Sequence, residues 1–335
     1  MKKKDYQPQP LVLNQGYYID RLFNGFEALE ENAKNWEHHC TYQLQPNALA
    51  GRHRVLQLHS MQLLYAQRRD GFMHRVTTAR DCISVGVAEE CGDRACFDRL
   101  KLRRGDILFF DDSHSFTYMS NGAARFMVLT IRKSALGPLL PKLPQVLDHL
   151  IRDTDGVFET ALHRTLDRFA DDSDAKRGEK EFREAEEEIC AVLMNLLEEQ
   201  TPFIPKLTRG EVIAFDIRDQ VNEHMDGKIN IESFARQYQV SRQTLRKSFK
   251  SLFGFSPQHF FRQLKLNHAQ RDLKFANPQS ETVTTIAHKW GFMHLGRFSE
   301  YYTALFGESP SQTLNGPSPQ SESMAKSCVN MQEEI

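Results

Sequence analysis

No stretch of the 335 residues approaches the about 18 uninterrupted apolar residues that a membrane-spanning helix needs, so no membrane partner is expected. The opening "MKKKDYQPQP" has three lysines but no apolar run after them, which argues against a secretory signal. Cysteine is sparse: Cys40, Cys82, Cys91, Cys96, Cys190 and Cys328 are scattered, and the tightest spacing is C-x4-C. That is neither a disulfide framework nor a zinc pattern. A reduced, cytoplasmic setting is expected, with no metal and no other cofactor.

Catalytic signatures are missing as well. No phosphate loop, nucleophile elbow or Ser/His/Asp arrangement stands out. Residues 41–132 contain His53, His59, His74 and His114, but no His-x-His pair of the kind that holds iron or manganese. Adjacent His38 and His39 would point apart on a strand or a helix. An enzyme is not expected.

What the chain does have is a repeat. "FGFSP" at 253–257 returns as "FGESP" at 306–310. Each copy reads as a joint between helices. Gly254 and Gly307 suit a left-handed C-terminus, Ser256 and Ser309 suit an N-cap, and Pro257 and Pro310 suit the first helical position. The apolar positions upstream repeat at the same offset of 53: Leu245 and Phe298, Phe249 and Tyr302, Leu252 and Leu305, Phe253 and Phe306. This spacing marks one helix face. Further back, Ala235 and Ala287 allow close helix crossing before a turn, occupied by Gln239 in the first copy and Gly291 in the second. Two tandem helix-turn-helix units follow from this pattern.

Charge points the same way. The formal net charge of −1 hides an asymmetry. Residues 228–275 hold ten Lys/Arg against two acids, whereas residues 1–205 hold 27 Lys/Arg against 31 Asp/Glu. A basic block in a near-neutral chain is the footprint of a phosphate-backbone partner, here double-stranded DNA.

Residues 229–314, and above all "IAHKWGF…RFSEYYTALFGESP", resemble the paired DNA-binding domain of the AraC/XylS family of bacterial transcription regulators. The "HLGRF" variant looks most like the branch that includes ethanolamine-operon regulators. The resemblance implies a transcription activator that meets promoter DNA and RNA polymerase, commonly as a homodimer under a small-molecule effector. It also implies that Gln243, Arg246 and Lys247 face bases. Arg242 and Lys250, on the same outward stripe, suit phosphates. At the same offset the second helix carries Leu295, Gly296, Ser299, Glu300 and Thr303, with His294 and Arg297 supplying its positive character. Glu300 stands where Lys247 does. It either accepts from cytosine N4 or lowers non-specific affinity by repulsion, the second being favoured.

The expected fold is α+β. An N-terminal cupin-like β-barrel or sandwich sensor with flanking helices precedes an all-α domain of two tandem helix-turn-helix units joined by a long helix. The N-terminal sensor and dimerisation domain spans 1–200, β-rich over 41–132 and helical over 134–200. The linker is 201–210, the DNA-binding domain 211–314, and 315–335 a disordered tail. The loose cupin-type likeness rests on "RRGDILFFDDSHSFTY". Tyr65, Arg75, His114 and Phe116 are candidate effector contacts. In "EKEFREAEEEICAVLMNLLEE" (179–199), Phe182, Ile189, Leu193 and Leu196 share a helical stripe that the sheet domain or a second copy must cover, and they are candidate dimer contacts. An N-terminal domain that binds protein rather than an effector, or a cupin-type enzyme fused to the DNA-binding domain, are the alternatives.

Overall fold

The computed structural model describes residues 9–25, 37–46, 50–92, 94–170, 178–223 and 230–316. Most of the expected polar loop at 171–180 and of the tail from 315 lies outside them. The chain forms two compact units. One comprises 1–41, 48–212 and 252–254; the other comprises 42–47, 213–251 and 255–335. No helix among the described residues is long and apolar enough to cross a membrane.

The first unit is built from β1 (Tyr18–Asn24), β2 (Glu37–Gln43), β3 (Ala50–Gln57), β4 (Met61–Arg68), β5 (Phe72–Thr77), β6 (Cys82–Glu90), β7 (Ala95–Phe97), β8 (Leu100–Leu102), β9 (Asp106–Asp111), β10 (Phe116–Ser120), β11 (Ala124–Arg132) and β12 (Leu150–Arg152), followed by α1 (Val157–Arg168) and α2 (Glu179–Glu199). Seven strands pair in the order β1-β3-β4-β11-β6-β9-β12, and five in the order β2-β5-β10-β7-β8. Neither sheet closes on itself, so of barrel and sandwich the described residues form an open two-sheet arrangement.

The seven-stranded sheet is covered on both faces, which is why β6 and β11 read as continuous apolar runs. Val85, Val87, Met127 and Leu129 join one core cluster with the helices. The alternate residues Ala88 and Val128 join the cluster that includes Phe97 and Phe116 of the second sheet. Helix α1 contributes Phe158, Leu162 and Leu166 to the first cluster. Asp153 starts that helix, its carboxylate accepting from the backbone N–H groups of Val157, Phe158 and Glu159 at 3.0, 3.0 and 3.1 Å.

Helix α2 corrects one expectation. Phe182, Ile189, Leu193 and Leu196, candidates for a dimer interface, lie in this same core, with Ile189 fully buried and Leu193 1 % exposed. Of the two possible covers for the stripe, the protein's own sheet and α1 supply it, with the Phe169 and Phe182 rings stacked at 5.2 Å. Side chains committed to their own core have no surface to offer a second copy.

The second unit is helical: α3 (Arg209–Glu223), α4 (Ile231–Gln237), α5 (Arg242–Phe253), α6 (Pro257–Phe275), α7 (Val283–Lys289), α8 (Leu295–Phe306) and α9 (Pro310–Asn315). Both repeated joints form as the sequence indicates. Gly254 and Gly307 take φ of +78° and +77°. Ser256 Oγ accepts from His259 N–H and Ser309 Oγ from Gln312 N–H, each at 3.2 Å. Helix α6 buries Phe260, Phe261, Leu264, Leu266, Ala269 and Leu273, so it serves as the core element of the unit. Its buried Asn267 is satisfied by the backbone of Gln43, accepting from its N–H and donating to its carbonyl at 2.8 Å each.

The turns inside the two copies are equivalent. Val240 N–H donates to the Ala235 carbonyl at 3.0 Å, and Phe292 N–H to Ala287 at 2.9 Å. Both turns use a left-handed residue, Gly291 at φ +79° and Gln239 at φ +52°. A side chain in that conformation carries strain.

Two stability changes follow, both readable by denaturant titration. Gln239→Gly relieves the strained turn and raises stability by about 0.5–1 kcal/mol after the added freedom of the unfolded chain is offset. Leu193→Ala leaves a cavity in the first unit and lowers its stability by about 2–5 kcal/mol. A Leu193→Ala protein that changes only its association state would contradict the core placement.

Candidate nucleic-acid interface

Helix α5 opens on Ser241, whose Oγ accepts from Thr244 N–H at 3.0 Å. Its inner face buries Leu245 and Phe249, with Phe249 against Phe260 and Phe261 at ring distances of 6.0 Å. That packing fixes the helix rotation and turns Arg242, Gln243, Arg246, Lys247 and Lys250 outward, all exposed. Arg242 pairs with Glu232 of α4 at 3.0 Å. Among the described residues Arg246, Lys247 and Lys250 have no ion-pair partner. Three uncompensated cations within two helical turns repel one another and attract a polyanion.

Helix α8 is the counterpart. Phe298, Tyr302 and Leu305 are buried, and the Tyr302 hydroxyl meets Thr313 Oγ1 at 2.8 Å. Outward stand His294, Arg297 and Glu300, with Ser299 half-buried. Here the charges are mixed. Lys289, just upstream, is taken up by Asp272 at 2.7 Å, and the same carboxylate accepts from Trp290 Nε1 at 2.8 Å. The two recognition helices therefore share a scaffold but not an electrostatic character.

Arg262, Lys265, Arg271 and Lys274 on α6 belong to the basic count of residues 228–275. All four are only partly exposed. Arg262 lies over the Tyr301 ring at 4.2 Å, and burial lowers the pKa of Lys265. Part of the basic count of the segment thus goes into packing, and α5 holds its most exposed share.

The first unit contains a cavity of about 80 Å³ between its two sheets. Apolar side chains such as Leu64, Val76, Phe97, Leu108 and Val128 line it, with Arg68, His74 and Tyr118 as its polar members. None of the four candidate effector contacts lines this space. Tyr65 is half-buried with its ring edge toward His163 at 5.7 Å. Arg75 Nε donates to Ser115 Oγ at 3.0 Å. Phe116 is fully buried among the rings of Phe97 and Phe110. His114 lines a separate hollow, where a hydrogen bond to Asp98 raises its pKa. The signal that marks Arg68 is the alternation of β4, which puts Arg68 on the face of Leu64 and Ala66.

Glu89, Glu159 and His163 bring three ligand-type atoms within 4.8 Å of one another. His163 Nε2 sits 2.8 Å from Glu89 Oε1, and that hydrogen bond raises the His163 pKa. The pair ties α1 to β6 as a structural contact.

Comparison with known proteins agrees with this geometry. Residues 234–316 match the family described as "Helix-turn-helix domain". The chain is 35% identical over 118 residues to the probable thc operon regulatory protein of Rhodococcus erythropolis, covering 35% of this chain and 34% of that protein. It is 34% identical over 94 residues to the XylDLEGF operon transcriptional activator of Pseudomonas putida, covering 28% and 29%. The match thus spans about a third of the length of these curated relatives. Among solved structures, the AraC-like transcriptional activator CuxR aligns with 79% of this chain and 85% of its own, at 9% identity and a TM-score of 0.38. A probable AraC family transcriptional regulator from Rhodopseudomonas palustris aligns with 31% of this chain and 94% of its own, at 30% identity and a TM-score of 0.29.

Alanine substitutions on α5 separate the two kinds of contact. Arg246→Ala weakens binding to a selected site by about 1–3 kcal/mol and relaxes preference at one base pair. Lys250→Ala weakens all sequences about equally and reduces the salt slope by about one. Anisotropy titrations on selected and random duplexes distinguish them. Undiminished binding in both variants would remove α5 from the interface.

Proposed function

We propose that this member of the AraC/XylS family of transcription regulators binds promoter DNA mainly through α5 of its first helix-turn-helix unit, and that its N-terminal unit controls that binding. The observation that carries this reading is the exposed, unneutralised stripe of Arg246, Lys247 and Lys250 on a helix whose opposite face is locked into a core. An α-helix of this kind fits the major groove, where Arg suits guanine and Gln243 suits adenine. Helix α6, of 19 residues, is about 28 Å long at 1.5 Å per residue, close to the about 34 Å between successive major grooves on one face of DNA.

The N-terminal unit is read as a cupin-like sensor. Its apolar cavity with three polar members favours a small-molecule effector over a purely protein-binding module. The output is activation through RNA polymerase in the cytoplasm. The relatives named as operon activators support that direction.

Glu300 is the sharpest test of how unequal the two helix-turn-helix units are. It is exposed on α8 at the register of Lys247. Glu300→Gln removes the charge and keeps the shape. Under repulsion, binding to selected and random DNA rises alike, and the gain shrinks with added salt. A loss confined to the selected site would show instead that Glu300 reads cytosine.

A further inference from the structure

The guanidinium of Arg68 is the least compensated charge in the first unit. The residue is 3 % exposed. Two other partly buried cations of the unit have carboxylates: Arg54 meets Asp167, and Arg152 meets Asp106, each at 2.6 Å. Among the described residues Arg68 has none. Its Nη1 donates to the Gln67 carbonyl at 3.2 Å, and its Nε has no acceptor. A guanidinium offers five N–H donors in a fixed fork. The rest of its surroundings are rings, with Phe23, Phe72 and Phe126 centred 4.7, 5.6 and 5.7 Å from Cζ. Cation–π contacts offset part of the desolvation of the charge, not its missing hydrogen bonds. Burial lowers the Arg68 pKa to about 9, which still leaves the group cationic at neutral pH.

Arg68 also lines the cavity between the sheets. The structure therefore holds a buried fork of donors beside apolar space. We propose that the cavity binds a small monocarboxylate with a short apolar tail, its carboxylate against Arg68 and its tail among Leu64, Leu108 and Val128. The carboxylate completes the bidentate pairing that the fork is shaped for. Tyr118, half-buried among the residues lining the cavity, stays protonated because burial raises its pKa, and so serves as a neutral donor. Size limits the tail. The cavity of about 80 Å³ is near half of the roughly 150 Å³ that accepts the six carbons of a benzene ring, so an acid of about two or three carbons fits and a ring does not. This proposal names the ligand class of the effector reading above and rests on it only for the consequence at DNA.

The test uses the full-length protein in thermal-shift and calorimetric titrations with acetate, propionate, benzoate and propionamide at millimolar concentration. The short acids raise the melting temperature in a concentration-dependent way, and propionamide binds at least about tenfold more weakly because it lacks the charge. Arg68→Met keeps the volume and removes the cation. That variant remains folded with an unchanged or higher melting temperature and loses the response to acids. An Arg68→Met protein that still responds, an amide that binds as well as its acid, or no response to any short acid each overturn the proposal. Tighter binding of benzoate than of propionate overturns its size limit. DNA titrations with and without propionate are scored separately: acid binding that leaves DNA affinity and transcription unchanged sinks the effector reading while the carboxylate site stands.

Discussion

Both helix-turn-helix units depend on one helix. Helix α6 is buried along much of its length, with Phe260 and Phe261 serving the first copy and Leu266, Ala269 and Leu273 serving the second. A helix with an apolar stripe on one side only could support one copy. Burial on several sides is what lets α6 hold two recognition helices on one rigid element. The joints at Gly254 and Gly307 then set where each flanking helix stops, since a left-handed residue ends a helix sharply.

Given that scaffold, function turns on what each recognition helix leaves outside. The buried sets are equivalent, with Leu245 and Phe249 against Phe298 and Tyr302. The exposed sets are not. Arg246, Lys247 and Lys250 face solvent on α5, whereas α8 shows Arg297 together with Glu300. The two copies share the packing that the fold requires and differ at the surface. Phosphate attraction supplies a large, sequence-independent part of DNA affinity, so on the proposed reading the unit that keeps its cations anchors the protein.

The repeat made the second unit legible from sequence, because its information is local: turn residues, caps and a 3.6-residue period. The joints and the inward and outward faces of α5 and α8 were all written that way. The first unit was less legible. Its strands could be recognised, but the pairing that makes two open sheets is long-range, and no local signal fixes it. The α2 stripe shows the same limit. Its amphipathicity was plain, yet periodicity does not say whether a sheet or a second chain covers it. The cavity was missed for a related reason. Tyr65, Arg75, His114 and Phe116 were chosen by residue type on strand-like segments. Arg68 becomes conspicuous only once β4 is placed with Phe23, Phe72 and Phe126 around it. Gln239 runs the other way, since its sequence argues against a left-handed turn that tertiary packing nevertheless imposes at φ +52°.

The central claim is that α5, through its exposed cations, supplies most of the hold on DNA. The salt dependence of binding by the unaltered protein tests it most directly. Affinity for a selected duplex, measured by anisotropy across a series of salt concentrations, reports how many phosphates are neutralised. Phosphate contacts from Arg242 and Lys250 predict a slope of log affinity against log salt of about −2. A slope near zero would contradict the account.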